Sequence, residues 1–184
     1  MLKRSLLVVG LITSCASFSL AQEVSVSLKN EADHVHFVQG GFFTYASTGT
    51  IWGVLTDYDS IPRFSSLMHS SHVTERHPDY LLVEQKADAD FLMFSRHVDL
   101  LLKIHEKPPD TITFEDVAGK DFYFYAGSWH IEDVPGGHRV LYSLRMKQKA
   151  SSAPDFIVRK VFKRDAKRFL EEVAEEIVHR TSPS

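Results

Sequence analysis

One cysteine, Cys15, serves the whole chain of 184 residues, so no intrachain disulfide can form and the fold must rest on its core. Charge of one sign is also scarce. A formal net charge of −3 argues against a nucleic-acid partner, which calls for a basic face. Proline and glycine number 7 and 9 and never gather into a linker, so no break divides the mature chain. No internal repeat or low-complexity segment is visible. There is no HExxH and no Cys/His ligand spacing, and nothing indicates a Ser-His-Asp or Cys-His arrangement. Ten histidines are present, with His34 beside His36 and His69, His72 and His77 near one turn. No carboxylate is placed with them as a zinc site requires, so neither a metal nor a cofactor is expected.

Long hydrophobic runs are missing too. Leu6 to Ile12 is too short for a membrane span. Lys3 and Arg4 precede it and Ser19-Leu20-Ala21 follows it, the pattern of an export signal cleaved before Gln22. The expectation is a leader over residues 1–21 and one mature domain over 22–184, exported to a bacterial periplasm. Ile12-Thr13-Ser14-Cys15 offers a second processing signal, in which Cys15 becomes a lipid anchor. The well-formed site at Ala21 is favoured.

What the chain does have is one long helical stripe. Val158, Val161, Phe162, Ala166, Phe169, Leu170, Val173, Ala174 and Ile177 recur at three-and-four spacing between Pro154 and Arg180. Pro154 suits the first turn, Ser152 is the expected cap, and Thr181 to Pro183 end the helix. Its first half carries Arg159, Lys160, Lys163, Arg164, Lys167 and Arg168, and Glu171, Glu172, Glu175 and Glu176 follow. That asymmetry reads either as a basic patch for transient contact with anionic lipid or as a solvated face with pairs such as Lys167–Glu171, and the second reading is favoured.

Elsewhere the period is two. Strands are expected over Val24–Leu28, His34–Ala46, Ser71–His77, Tyr80–Ala87, Phe91–Ile104, Thr111–Val117, Phe122–Asp133 and His138–Lys149. Gly40-Gly41 suggests a bulge or bend, and Ala87 to Asp90 a turn. Ser47 or Thr48 caps a short helix through Ile51, Val54, Leu55 and Tyr58, and Phe64, Leu67 and Met68 suggest a second. Short turns between consecutive strands predict an antiparallel meander. The fold class is α+β, with a curved antiparallel sheet wrapped around a long C-terminal helix.

Several segments resemble one superfamily: Trp52-x-Val54-Leu55-Thr56-Asp57-Tyr58-Asp59 with Pro62 and Phe64; Glu84-Gln85-Lys86; Phe94-Ser95-Arg96; Glu106-Lys107-Pro108-Pro109; Ile112-x-Phe114; Gly119-Lys120-Asp121-Phe122; and Tyr125-x-Gly127-x-Trp129. Together they resemble the START-related helix-grip proteins, closest to the coenzyme Q-binding and polyketide cyclase-like branch. The resemblance implies a cavity between sheet and C-terminal helix. Alternation places Val98, Leu100, Leu102, Phe114, Tyr123, Tyr125, Trp129, Tyr142, Leu144 and Met146 on its sheet side, and Val158, Phe162, Phe169 and Leu170 on its helix side. Gln85 shares parity with Leu81 and Val83, and Arg96 with Phe94 and Val98, so these polar residues also reach inward. Each apolar candidate fits an ordinary core equally well.

Acid–base candidates are Glu84, Arg96, Asp99, Glu106, Asp116 and Asp121, with Glu84 and Asp99 facing water. No convincing pair emerges, and no catalytic residue is assigned. The sequence therefore points to an exported carrier or binding protein for a hydrophobic small molecule or lipid, such as a quinone or isoprenoid. A cyclase or aromatase-type enzyme is the alternative, and a non-catalytic interaction module the third.

Overall fold

A computed structural model describes residues 23–91, 94–149 and 154–182, with the side chains of 89–91 and 94–96 excepted. The expected leader, with Cys15, and Ser152 lie outside the described residues. Two strands open the described residues, β1 (Ser25–Asn30) and β2 (His36–Thr44). Two short helices follow, α1 (Thr48–Leu55) and α2 (Ile61–Phe64). Six strands come next: β3 (Met68–Arg76), β4 (Leu81–Phe91), β5 (Phe94–Lys107), β6 (Thr111–Asp116), β7 (Phe122–Val134) and β8 (Gly137–Gln148). Helix α3 (Asp155–Thr181) ends the fold. The eight strands form one antiparallel sheet in the order β1-β2-β8-β7-β6-β5-β4-β3. The hairpins from β3 to β8 are local, whereas β2 pairs with β8 from the other end of the chain. Helices α1 and α2 lie in the connection that crosses from β2 to the opposite sheet edge.

Helix α3 buries Val158, Val161, Leu170, Val173, Ala174 and Ile177, the stripe its spacing predicts. It lies against β1, β2, β4 and α1. Each large aliphatic side chain buried this way contributes about 1.5–3 kcal/mol. The exposed pairs Lys167–Glu171 and Arg168–Glu172, at 3.4 Å each, add a few tenths apiece. Apolar burial therefore holds the helix to the sheet. Ser47 caps α1, its Oγ accepting from the Thr50 N–H at 3.1 Å.

Four local expectations change. Register runs unbroken through Gly40 and Gly41, so no bulge lies there. A Cβ on Gly40 would instead sit 2.5 Å from Leu170 Cδ1, so the glycine lets α3 approach the sheet closely. His34 belongs to a single helical turn before β2 and has φ 58°, a backbone conformation incompatible with a strand. Ala87 to Asp90 is strand rather than turn: Asp88 pairs with His97 and Ala89 with Arg96, because β5 is long enough to hold them in register. Finally, the second helix ends at Phe64, and Met68 already begins β3.

Candidate functional site

A cavity of about 200 Å³ lies between the concave sheet face, α1, α2 and α3. Gln85, Val98, Leu100, Leu102, Phe114, Tyr125, Trp129, Tyr142, Leu144 and Met146 line it from the strands, and Phe162 and Phe169 from the helix. Strand alternation delivers the first group to one face, and helical spacing delivers the second to the facing stripe. Val158 and Leu170 are buried but stand outside the lining, and Leu170 packs on Gly40 instead. The side chains of Phe94 and Arg96 lie outside the described residues.

Tyr123 points the other way and is exposed. Phe122 pairs with Gln148 and Phe124 with Lys147, so Tyr123 is the extra residue of a bulge. The bulge reverses the parity, and Phe122 takes the inward position that simple alternation gives to Tyr123. From Phe124 onward the register is regular, which restores Tyr125 and Trp129 to the cavity wall.

A cluster of aromatic rings builds part of the wall. Trp129 and Tyr142 have centroids 4.7 Å apart, and Phe169 meets Trp129 edge-on at 6.0 Å. Phe114 lies 6.2 Å from Tyr142 and 6.1 Å from Tyr125. Gly127 makes room for that ring, since a Cβ there would fall 2.5 Å from Phe114 Cζ.

Few polar groups interrupt this surface. The Gln85 amide donates to Ser71 Oγ at 3.2 Å, across a directly paired position of β3 and β4. Tyr58 donates to Glu106 Oε1 at 2.8 Å, joining the α1–α2 connection to β5. Burial, and then the Glu106 carboxylate beside it, pushes the Tyr58 hydroxyl far above its ordinary range. Burial also lifts the facing tyrosines of β7 and β8, Tyr125 to about 12 and Tyr142 well above the usual value. All three phenols therefore stay protonated near neutrality and serve as hydrogen-bond partners rather than bases. Ser65 also lines the cavity, and its buried hydroxyl has no hydrogen-bond partner among the described residues. Alternation gives no sign of Ser65, which lies just beyond α2.

Five of the six acid–base candidates have structural duties or face solvent. Glu84 pairs with Lys86 at 3.4 Å, and Asp99 with Lys120 at 3.6 Å. Asp116 accepts from the N–H groups of Leu101, Ala118 and Gly119, and Asp121 from that of Asp99. Glu106 holds Tyr58. The sixth, Arg96, is outside the described side chains. Among the described residues two carboxylates do reach the lining, Asp88 on β4 and Asp165 on α3. Asp165 is paired with Arg164 at 2.7 Å. With the part-exposed Phe64, Leu67 and Met68 they mark the mouth. Beside it Glu172 of α3 accepts from the Ser66 backbone N–H at 3.1 Å and from the Ser66 hydroxyl, clasping the α2–β3 loop to the helix.

No curated protein sequence matches this one. Solved structures do share the fold. A Thermus thermophilus protein superposes with a TM-score of 0.69 at 17% identity, covering 79% of this chain and 99% of that one. The Zhui aromatase/cyclase of a Streptomyces species gives 0.69 at 13%, covering 81% and 97%. A STAR-related lipid transfer protein of Xanthomonas axonopodis gives 0.62 at 14%, covering 83% and 98%. Identities this low carry the architecture alone, which is the START-type helix grip. The sequence profile of one family spans residues 45–174, from the end of β2 to the buried half of α3. By that match, the chain belongs to the polyketide cyclase/dehydrase and lipid transport family.

Proposed function

We propose that the protein is an exported binding or carrier protein for a hydrophobic ligand seated between the sheet and α3. The observation that carries this reading is an apolar, aromatic-walled cavity whose polar groups are mostly protonated phenols, an amide and a hydroxyl. Such a wall binds and orients, and the carboxylates among its described residues, Asp88 and Asp165, stand at the mouth rather than among the aromatic rings. The family description couples cyclase chemistry with lipid transport, and hydrophobic ligands are common to both. Export rests on the basic, apolar and small-residue pattern ending at Ala21.

Size narrows the ligand. About 200 Å³ exceeds the ~150 Å³ of engineered cavities that admit benzene, and falls short of the ~300–1,000 Å³ that encloses drug-sized molecules. A one- or two-ring headgroup fits within. A prenyl or acyl chain extends through the mouth beside Asp88 and Asp165. Exposed Phe156 and the basic first half of α3 give the carrier a surface for brief contact with an anionic membrane during loading.

Native mass spectrometry of the purified protein, with organic extraction of what travels with it, tests the reading. A stoichiometric isoprenoid, quinone or acyl lipid supports it. An apo mass that added quinones and phospholipids leave unchanged overturns it. The cyclase alternative needs a carboxylate at the wall. Asp165 is the test residue: turnover of an aromatic polyketide mimic that Asp165→Asn abolishes would favour the enzyme.

A further inference from the structure

His69, Asp88 and His97 come from three adjacent strands, β3, β4 and β5. Asp88 of β4 is directly paired with His97 of β5. His69 lies where the β3–β4 register shifts, between Met68 and Ser70. A bulge at that point re-aims a side chain, and here His69 is turned toward Asp88. The two imidazoles contact different oxygens of one carboxylate, His69 Nε2 on Oδ2 and His97 Nδ1 on Oδ1. Their rings are 6.5 Å apart, and the three prospective donor atoms lie within 4.8 Å of one another.

We infer that His69, Asp88 and His97 form a binding site for one divalent transition-metal ion of the zinc type. Two neutral imidazoles and one carboxylate are a donor set that zinc accepts, with a further position left for water or a ligand oxygen. Zinc bonds of about 2.0–2.2 Å in tetrahedral array put donors about 3.3 Å apart. That separation lies between the close Asp88 contacts and the 4.8 Å limit of the cluster. Small side-chain rotations suffice, because His69 is 58% and His97 84% exposed, while Asp88 at 20% is the fixed centre. The same exposure gives an ion its way in. Asp88 also borders the cavity, so the ion would sit beside the mouth and could hold an oxygen of a ligand entering there.

The experiment is calorimetric titration of the untagged protein with zinc chloride, on the wild type and on His69→Gln, Asp88→Asn, His97→Gln and His77→Gln. His77 pairs with Glu75 at 2.8 Å beside the end of β3 and controls for exposed histidine as such. One ion per chain is expected. Each triad substitution should weaken binding about tenfold or more, and His77→Gln should leave it unchanged. Circular dichroism without metal checks the fold, which the highly exposed His97 is least able to disturb. Absence of saturable zinc uptake overturns the assignment. So does wild-type affinity in Asp88→Asn and His97→Gln, or an equal loss in His77→Gln.

Discussion

Replacing Gly40 by alanine probes the closest point of the grip between sheet and helix. The new Cβ would meet Leu170 Cδ1 at 2.5 Å, the Ser25 carbonyl oxygen at 2.8 Å and Val26 Cγ2 at 3.0 Å. Leu170 is fully buried and has little room to retreat. Overpacking of this kind costs about 1–3 kcal/mol, and alanine's lower chain entropy returns about 0.5–1 kcal/mol. Leu170→Ala alone leaves a void and costs about 2.7–5 kcal/mol. In the double variant the methyl introduced by Gly40→Ala enters the void and the clash with Leu170 disappears. The contact with the Ser25 backbone persists, so rescue is partial. The double variant should therefore be more stable than the sum of the singles by about 1 kcal/mol, within the ~0.5–3 kcal/mol seen for contacting residues. Urea unfolding of the four proteins, extrapolated linearly, measures the coupling. Additivity to within about 0.5 kcal/mol would show that Gly40 is not held by Leu170, and would refute the argument.

Three further outcomes follow from other parts of the molecule. Burial draws the His36 imidazole below its ordinary 6.5, with Asp155 opposing the shift and Arg159 and His34 adding to it. The unfolded chain then takes up the proton first, so stability should fall as pH drops below about 6.5 toward the folded value. His36→Gln should flatten that slope in urea midpoints, and an unchanged slope would assign the effect elsewhere. Ala166→Trp places an indole in the cavity from α3, so copurifying ligand should fall sharply while circular dichroism stays native; a wild-type ligand load would refute a seat between the sheet and α3. If the proposed export holds, the N-terminus of the protein recovered from an expressing bacterium should be Gln22, whereas acylation would make Cys15 the first residue.

Much of this architecture is written in local periodicity. A strip of apolar residues every three to four positions has one solution, a helix against a surface, and α3 follows it from Val158 to Ile177. Period two likewise sorts Leu100, Leu102, Tyr142 and Leu144 onto the inner face. Legibility ends where one residue disturbs the count. Tyr123 is displaced by a bulge that nothing in Phe122 to Tyr125 announces, because all four residues are aromatic and either parity looks apolar. Ala87 to Asp90 looks like a turn by composition, yet the length of β5 recruits it into the sheet. That misreading also hides the His69, Asp88 and His97 cluster. A carboxylate in a turn has no fixed neighbours, whereas the same carboxylate in a strand has a named partner across the ladder. Ser65 and Asp165 enter the cavity wall through packing of α2 and α3, which no single window of sequence contains.

The pairing of β2 with β8 sets the order in which the protein can be completed. Val38 cannot meet Leu144, nor Phe42 meet Val140, until synthesis has passed residue 144 of the 184. Helix α3, which closes the cavity, is made later still. A growing chain can form the local hairpins from β3 to β7, but only α1 and α2 are available to cover their apolar inner face until α3 arrives. The cavity between sheet and α3 is thus the final part to exist. A ribosome that stops before α3 releases a sheet whose cavity lacks the wall supplied by Phe162, Ala166 and Phe169.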